Sequence, residues 1–171
     1  MRLLEVGCGS GAYMRYACHR NPQLSALGLE LQPAVAEMAR RNLLQWGLSE
    51  RAAVEVGDVR LRNSEPSFDL VTLHNSIYYF PVEERVVLLR HLWAFLRPAG
   101  VILITTVCIP GPPIAEFLSF WGASTQGCGR CPTRAELLAQ LEKAEFEAAR
   151  AKLVLPGSAF YYFVARKLST G

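Results

Sequence analysis

The sequence predicts an α/β fold built on a doubly wound, mostly parallel sheet, and three observations carry that expectation. Short apolar runs alternate with segments of helical periodicity along the 171 residues, a glycine-rich turn directly follows the first run, and the chain closes on two successive strand-like segments. Repeated strand and helix alternation calls for parallel strands joined by crossover helices, and sheets of that kind bind ligands beyond the carboxyl ends of their strands. At this length, a composition that is 51% hydrophobic can fill one core, so residues 1–171 are expected to form a single domain.

The runs Leu3–Val6, Ala26–Leu29, Ala53–Val56, Leu70–Leu73 and Val101–Ile104 read as buried strands. Gly7-Cys8-Gly9-Ser10-Gly11 turns the chain after the first of them, and helix-compatible residues follow from Ala12. Pro33 suits a first helical turn, with Val35, Met38 and Ala39 at helical spacing behind it and Arg40 and Arg41 toward the end. The next helix opens after Pro81 with Glu83 and Glu84, carries Leu89, Leu92, Trp93 and Leu96 on one face, and stops before Pro98 and Gly100.

Pro110, Gly111, Pro112 and Pro113 break regular structure and are expected to open a surface loop. Ile114, Phe117, Leu118 and Trp121 then recur at helical spacing. Because apolar stripes usually mean core, a short helix covering the sheet is favoured over a lid on an acceptor. Thr133 and Glu136 form a capping box ahead of Leu137, Leu138 and Leu141. Phe146–Leu153 and Phe160–Ala165 pair as the last two strands, which completes a seven-stranded sheet with an antiparallel C-terminal strand.

Several function classes lose support at once. The net charge is +3, but the basic residues are scattered and form no run that would track phosphates, which argues against nucleic acid. The apolar stretch from Val101 to Ile109 is interrupted by threonines and is far shorter than the roughly 20 residues of a membrane helix. No signal-peptide pattern opens the chain, so a cytoplasmic location is expected, with the five cysteines as free thiols. Only Cys128 and Cys131 stand at C-x-x-C spacing; without a second pair they make half a zinc site, so a turn around Gly127 and Gly129 is favoured and no metal is expected.

The glycine turn admits two readings. Gly7, Gly9 and Ala12 satisfy the dinucleotide pattern G-x-G-x-x-G/A, and Glu30 sits where a ribose-binding acid belongs, so an NAD(P)-dependent oxidoreductase is a competitor. Glu5 before the first glycine, Gly11 at an additional glycine position and Asp58 after the third strand point to a different ligand.

With these residues in view, the chain resembles the Rossmann-like (class I) S-adenosylmethionine-dependent methyltransferases. Glu5 to Gly11 matches their E/D-x-G-x-G-x-G motif, Gly57-Asp58-Val59 and Phe68-Asp69-Leu70-Val71 match later motifs in order, and Leu96-Arg97-Pro98-Ala99-Gly100 matches the turn before the fifth strand. The resemblance implies S-adenosylmethionine as cofactor and S-adenosylhomocysteine as product. It implies a cofactor site of Glu5, Gly7, Cys8, Gly9, Gly11, Glu30, Leu31, Asp58, Val59, His74 and Asn75, in which Glu30 holds the ribose hydroxyls and Asp58 meets the adenine amino group. Cys8 is a small loop residue there, not a nucleophile.

His74, at the end of the fourth strand, is the candidate general base for a hydroxyl acceptor. Tyr78, Tyr79, Phe117 and Trp121 are candidates for the acceptor pocket, although aromatic packing is an equal reading for the tyrosines. His74-Asn75-Ser76-Ile77-Tyr78 lacks the N/D-P-P-Y/F motif of amino-group nucleic-acid methyltransferases, so a small-molecule acceptor is expected. Members of this family usually carry helices ahead of the first strand. Here that strand starts at Arg2 or Leu3, so the expectation is a fold without those cover helices, completed by a dimer or partner, or else a non-catalytic module.

Overall fold

A computed structural model describes residues 1–168. The elements run β1 (Arg2–Val6), α1 (Ala12–Arg20), β2 (Ser25–Glu30), α2 (Pro33–Gln45), β3 (Ala52–Val56), β4 (Phe68–His74), α3 (Arg85–Phe95), β5 (Leu96–Val107), α4 (Pro113–Ser124), α5 (Arg134–Lys143), β6 (Glu147–Leu153) and β7 (Phe160–Arg166). The strands form one sheet of order β3-β2-β1-β4-β5-β7-β6. Strands β1 to β5 pair in parallel, and β7 runs antiparallel to both β5 and β6. Strand order reverses between β1 and β4, which is the switch point where ligands bind in open sheets.

Alternation along each strand divides the core. Leu4, Val6, Val71, Leu73, Ile102, Ile104 and Phe163 face α3 and α5, packing with Leu89, Leu92, Leu137 and Leu141. Leu3 and Ala26 point the other way and pack with Met14 of α1 and with Ala36, Ala39 and Leu43 of α2. Gly28 in β2 lets α1 and the glycine turn close on the sheet: a Cβ there would meet Cys8 Sγ at 2.7 Å and Met14 Sδ at 2.8 Å.

Three local expectations are corrected. The buried stripe of α2 is Ala36, Ala39 and Leu43, while Met38 faces solvent and the helix runs on past the arginines to Gln45. Strand β5 starts at Leu96, because the Arg97–Gly100 turn is a bulge inside it. The register passes from Phe68↔Leu96 to Leu70↔Val101, with Ala99 at φ 63. The proline segment does break regular structure, over residues 108–112, and α4 starts at Pro113 itself. That helix buries its small residues Ala115, Ser119 and Gly122 and turns Ile114, Phe117 and Phe120 outward, so the apolar stripe is not its packed face. The close packing explains the inversion, since a Cβ at Gly122 would lie 2.4 Å from Gly129 O. The capping box forms as expected, with Thr133 Oγ1 accepting from Glu136 N–H and Glu136 accepting from Thr133 N–H.

Candidate functional site

The sheet order sets the carboxyl ends of β3, β2, β1 and β4 side by side, and with them Asp58, Glu30, the glycine turn and His74. Gly7, Gly9 and Gly11 adopt φ values of 69, 53 and 79, a left-handed conformation that favours glycine. The turn is pinned from below by Gly7 and Cys8 N–H groups donating to Leu29 O, and from the side by Asn42 Nδ2 donating to Ser10 O. A Cβ on Gly9 would enter open space, so its backbone is approachable by a ligand.

Glu30 accepts from Gly9 N–H through one oxygen and from Gln32 N–H through the other, at 3.0 and 3.1 Å. Each oxygen keeps a further acceptor site for a hydroxyl. Beyond it, Leu31 is exposed. Asp58 caps the single turn at 59–61 by accepting Arg60 N–H and is gripped by the Arg60 guanidinium, which holds its carboxyl below the usual range. Val59 is buried in the core, and its carbonyl accepts from or faces His91 Nε2 at 2.9 Å. The glycine cradle and these acids fit an adenosine-bearing ligand.

At β4 the chain turns through Asn75, at φ 52, whose N–H donates to Thr105 O. Ser76 Oγ donates to Val6 O and ties this turn to the end of β1. His74 pairs its Nδ1 with Thr105 Oγ1 at 2.9 Å and stacks on Tyr13, ring centroids 3.9 Å apart. Burial drives its imidazole down to about 4, so it is neutral near pH 7 and a weak proton acceptor. Burial pushes the Cys8 thiol up to about 12, which leaves it unreactive in the loop.

Glu5 is fully buried, and among the described residues neither its carboxyl oxygens nor Thr72 Oγ1 beside it has a partner in hydrogen-bond geometry. Burial pushes the Glu5 carboxyl up to about 8, offset only in part by the Met14 backbone N–H. Both residues line a groove of about 610 Å³ on the α1 side of the sheet, together with Tyr13, Tyr16, His74 and Leu103.

Of the acceptor candidates, Tyr78 is buried and Tyr79 half exposed, with ring centroids 4.9 Å apart, and Trp121 meets Tyr79 edge-on at 6.0 Å. Phe117, on the outward side of α4, joins none of the ring contacts among the described residues. Two residues, Arg85 behind the Phe80 segment and Tyr13 stacked on His74, belong to no motif in the sequence. Arg85 is wholly buried at the start of α3, donating from Nε to Phe80 O and from Nη2 to Arg130 O, and nothing in the sequence around it marks an arginine for burial. Tyr13 could have been found only from its place on the first turn after the glycines. Cys131 is buried, its N–H donating to Ser119 Oγ, while Cys128 is partly exposed.

These features define a class: a Rossmann-like α/β domain with its glycine turn and acids gathered at the ends of its parallel strands. Residues 4–102 match the model of the family described as "Methyltransferase domain", and the chain belongs to that family. Malonyl-[acyl-carrier protein] O-methyltransferase of Priestia megaterium is 24% identical over 104 residues, 61% of this chain and 36% of that protein. Human N-acetylserotonin methyltransferase, solved with its S-adenosylmethionine, superposes with a TM-score of 0.80 at 20% identity, over 98% of this chain and 47% of that one. An O-methyltransferase family 2 protein from Planctomyces limnophilus, in complex with apigenin, superposes at 0.83 with 22% identity, over 98% of this chain and 51% of that one. The chain therefore spans about half the length of these solved proteins. S-adenosylmethionine is the cofactor that family membership implies.

Proposed function

We propose that this domain binds S-adenosylmethionine across the ends of β1 to β4 and transfers its methyl group to a small molecule with an apolar or aromatic body. One observation carries the reading: sheet order aligns the left-handed glycine turn, Glu30 and Asp58 on neighbouring strand ends. Glu30 would take the ribose hydroxyls on its spare lone pairs, Asp58 the adenine amino group, and Leu31 would lie along the base. The cofactor supplies an already activated methyl, so the protein's part is to orient the acceptor and exclude water. Tyr78, Tyr79 and Trp121 form an apolar wall beside the β4 turn that suits such an acceptor. His74 is too weak a base, at about 4, to ionise an ordinary alcohol. That supports an acceptor atom that arrives nucleophilic, a free amine, a thiolate or an acidic hydroxyl, over an ordinary alcohol.

The groove beside α1 supports a companion proposal, that a second copy or a partner polypeptide covers this face, and a non-catalytic role in such an assembly is the second reading. Free cysteines suit a cytoplasmic setting, and no described helix is long and apolar enough to cross a membrane. The test is calorimetric titration with S-adenosylhomocysteine and, in parallel, with NAD. Saturable binding of the former, weakened about tenfold or more in Glu30→Ala, is expected from the loss of charge-assisted hydrogen bonds. Selective NAD binding would overturn the reading, and an unweakened Glu30→Ala variant would remove Glu30 from the ribose site.

A further inference from the structure

Asp58 is already engaged. Its Oδ1 accepts from Arg60 N–H at 2.9 Å and from Arg60 Nε at 3.0 Å, while its Oδ2 accepts from Nε at 3.0 Å and from Nη2 at 2.7 Å. A carboxylate offers about four lone-pair sites, and here three N–H groups of one residue, with Nε–H shared between the two oxygens, take up most of them. The remaining arm of the guanidinium, Nη1, reaches Glu84 Oε2 at 3.2 Å, and the Phe80 ring lies 5.6 Å from its centre. The Glu84 side chain is 50% exposed and, among the described residues, accepts only this hydrogen bond, so it has acceptor capacity to spare. The cluster bridges the turn after β3 and the segment that carries Tyr78 and Tyr79.

A neutral amine is a weaker donor than a guanidinium, so it competes with the Arg60 side chain for the two Asp58 oxygens. We propose that Arg60 sets affinity and base selectivity in the cofactor site: it occupies Asp58 in the free protein and passes to Glu84, across the face of Phe80, when an adenine amino group takes its place. This rests on the reading of Asp58 as the adenine acid. The hand-over makes the segment 77–84 sense the adenine end, and it lets Arg60 favour a base carrying a carbonyl in place of the amine.

The experiment titrates the full chain and its Arg60→Ala, Arg60→Gln, Glu84→Gln and Asp58→Ala variants with S-adenosylhomocysteine and with its deaminated analogue, S-inosylhomocysteine. Freed of its competitor, Asp58 in both Arg60 variants should bind S-adenosylhomocysteine up to about fivefold more tightly, the scale of an exposed ion pair. Affinity for the inosyl analogue should be unchanged or lower, so selectivity for the amine rises. Glu84→Gln should weaken S-adenosylhomocysteine binding in the parent and have no effect in Arg60→Ala. Should Asp58→Ala weaken binding while the Arg60 variants bind no more tightly, the hand-over is wrong and the adenine assignment stands. Should Asp58→Ala bind as the parent does, the adenine assignment fails and takes the hand-over with it.

Discussion

Replacing Glu5 by Gln should change how stability depends on pH, and the structure sets both the sign and the window. Glu5 is wholly buried, no described residue partners it in hydrogen-bond geometry, and its carboxyl is raised from an ordinary 4.5 to about 8. A raised acid contributes stability that is complete below 4.5 and is lost as pH rises toward 8, because between those values the folded chain holds a proton the unfolded chain has released. His74 acts in the opposite sense. Lowered from 6.5 to about 4, it favours the folded state above 6.5 and withdraws that support as pH falls toward 4.

At about 1.4 kcal/mol per pH unit the two effects nearly cancel between 4.5 and 6.5, and Glu5 alone remains from 6.5 to 8. The parent should therefore hold a flat profile and then lose about 2 kcal/mol over that upper interval, which for a chain of this size is roughly 4–8 °C in Tm. Glu5→Gln cannot ionise. From pH 5 to 6.5 its profile should climb by about 2 kcal/mol as His74 loses its charge and then stay level to pH 8. Urea unfolding of both proteins, without cofactor, at half-unit steps from pH 5 to 8 measures this. Parallel profiles for the two proteins would refute the argument, since Glu5 would then be ionised and paired in the folded state.

Other perturbations probe the packing beneath the site. Gly28→Ala drives a methyl into Cys8 and Met14; a loss of about 1–3 kcal/mol is expected from overpacking, with weaker S-adenosylhomocysteine binding because Cys8 belongs to the glycine turn. Gly9→Ala, by contrast, meets no atom within 4 Å. Its cost should be only the left-handed backbone, about 1 kcal/mol, read by urea unfolding. Arg85→Met leaves Phe80 O and Arg130 O without their donor; about 2–4 kcal/mol of destabilisation and faster proteolysis within residues 125–132 are expected. Thr133→Ala removes one half of the capping box; a loss of about 1 kcal/mol, or roughly 2–4 °C in Tm, should appear on thermal unfolding.

How much of this was legible in the sequence depends on the range over which each interaction acts. Alternating apolar runs and helical stripes are properties of consecutive residues, so all seven strands, the helices after Pro33 and Pro81, and the Thr133 cap could be read from the chain. The resemblance of Glu5 to Gly11 and of Gly57 to Val59 to family motifs placed Glu30 and Asp58 among the site residues, and the sheet order sets them on adjacent strand ends. Where local pattern misled, tertiary packing was the cause. Helix α4 presses its smallest residues against the 129–130 segment and leaves its largest apolar side chains outside, the reverse of what spacing alone suggests.

The sequence by itself determined the fold class, the family and the left-handed glycine turn, because each rests on short-range backbone preference or on motifs contiguous in the chain. Only the tertiary structure decided which of the marked residues are free to act. Asp58 is gripped by Arg60, Glu5 is sealed with no hydrogen-bond partner among the described residues, His74 is held neutral against Tyr13 and Thr105, and a buried Arg85 braces the aromatic wall. Desolvation and pairing arise from neighbours far apart in sequence, and those neighbours set charge state and occupancy while the motif sets only position.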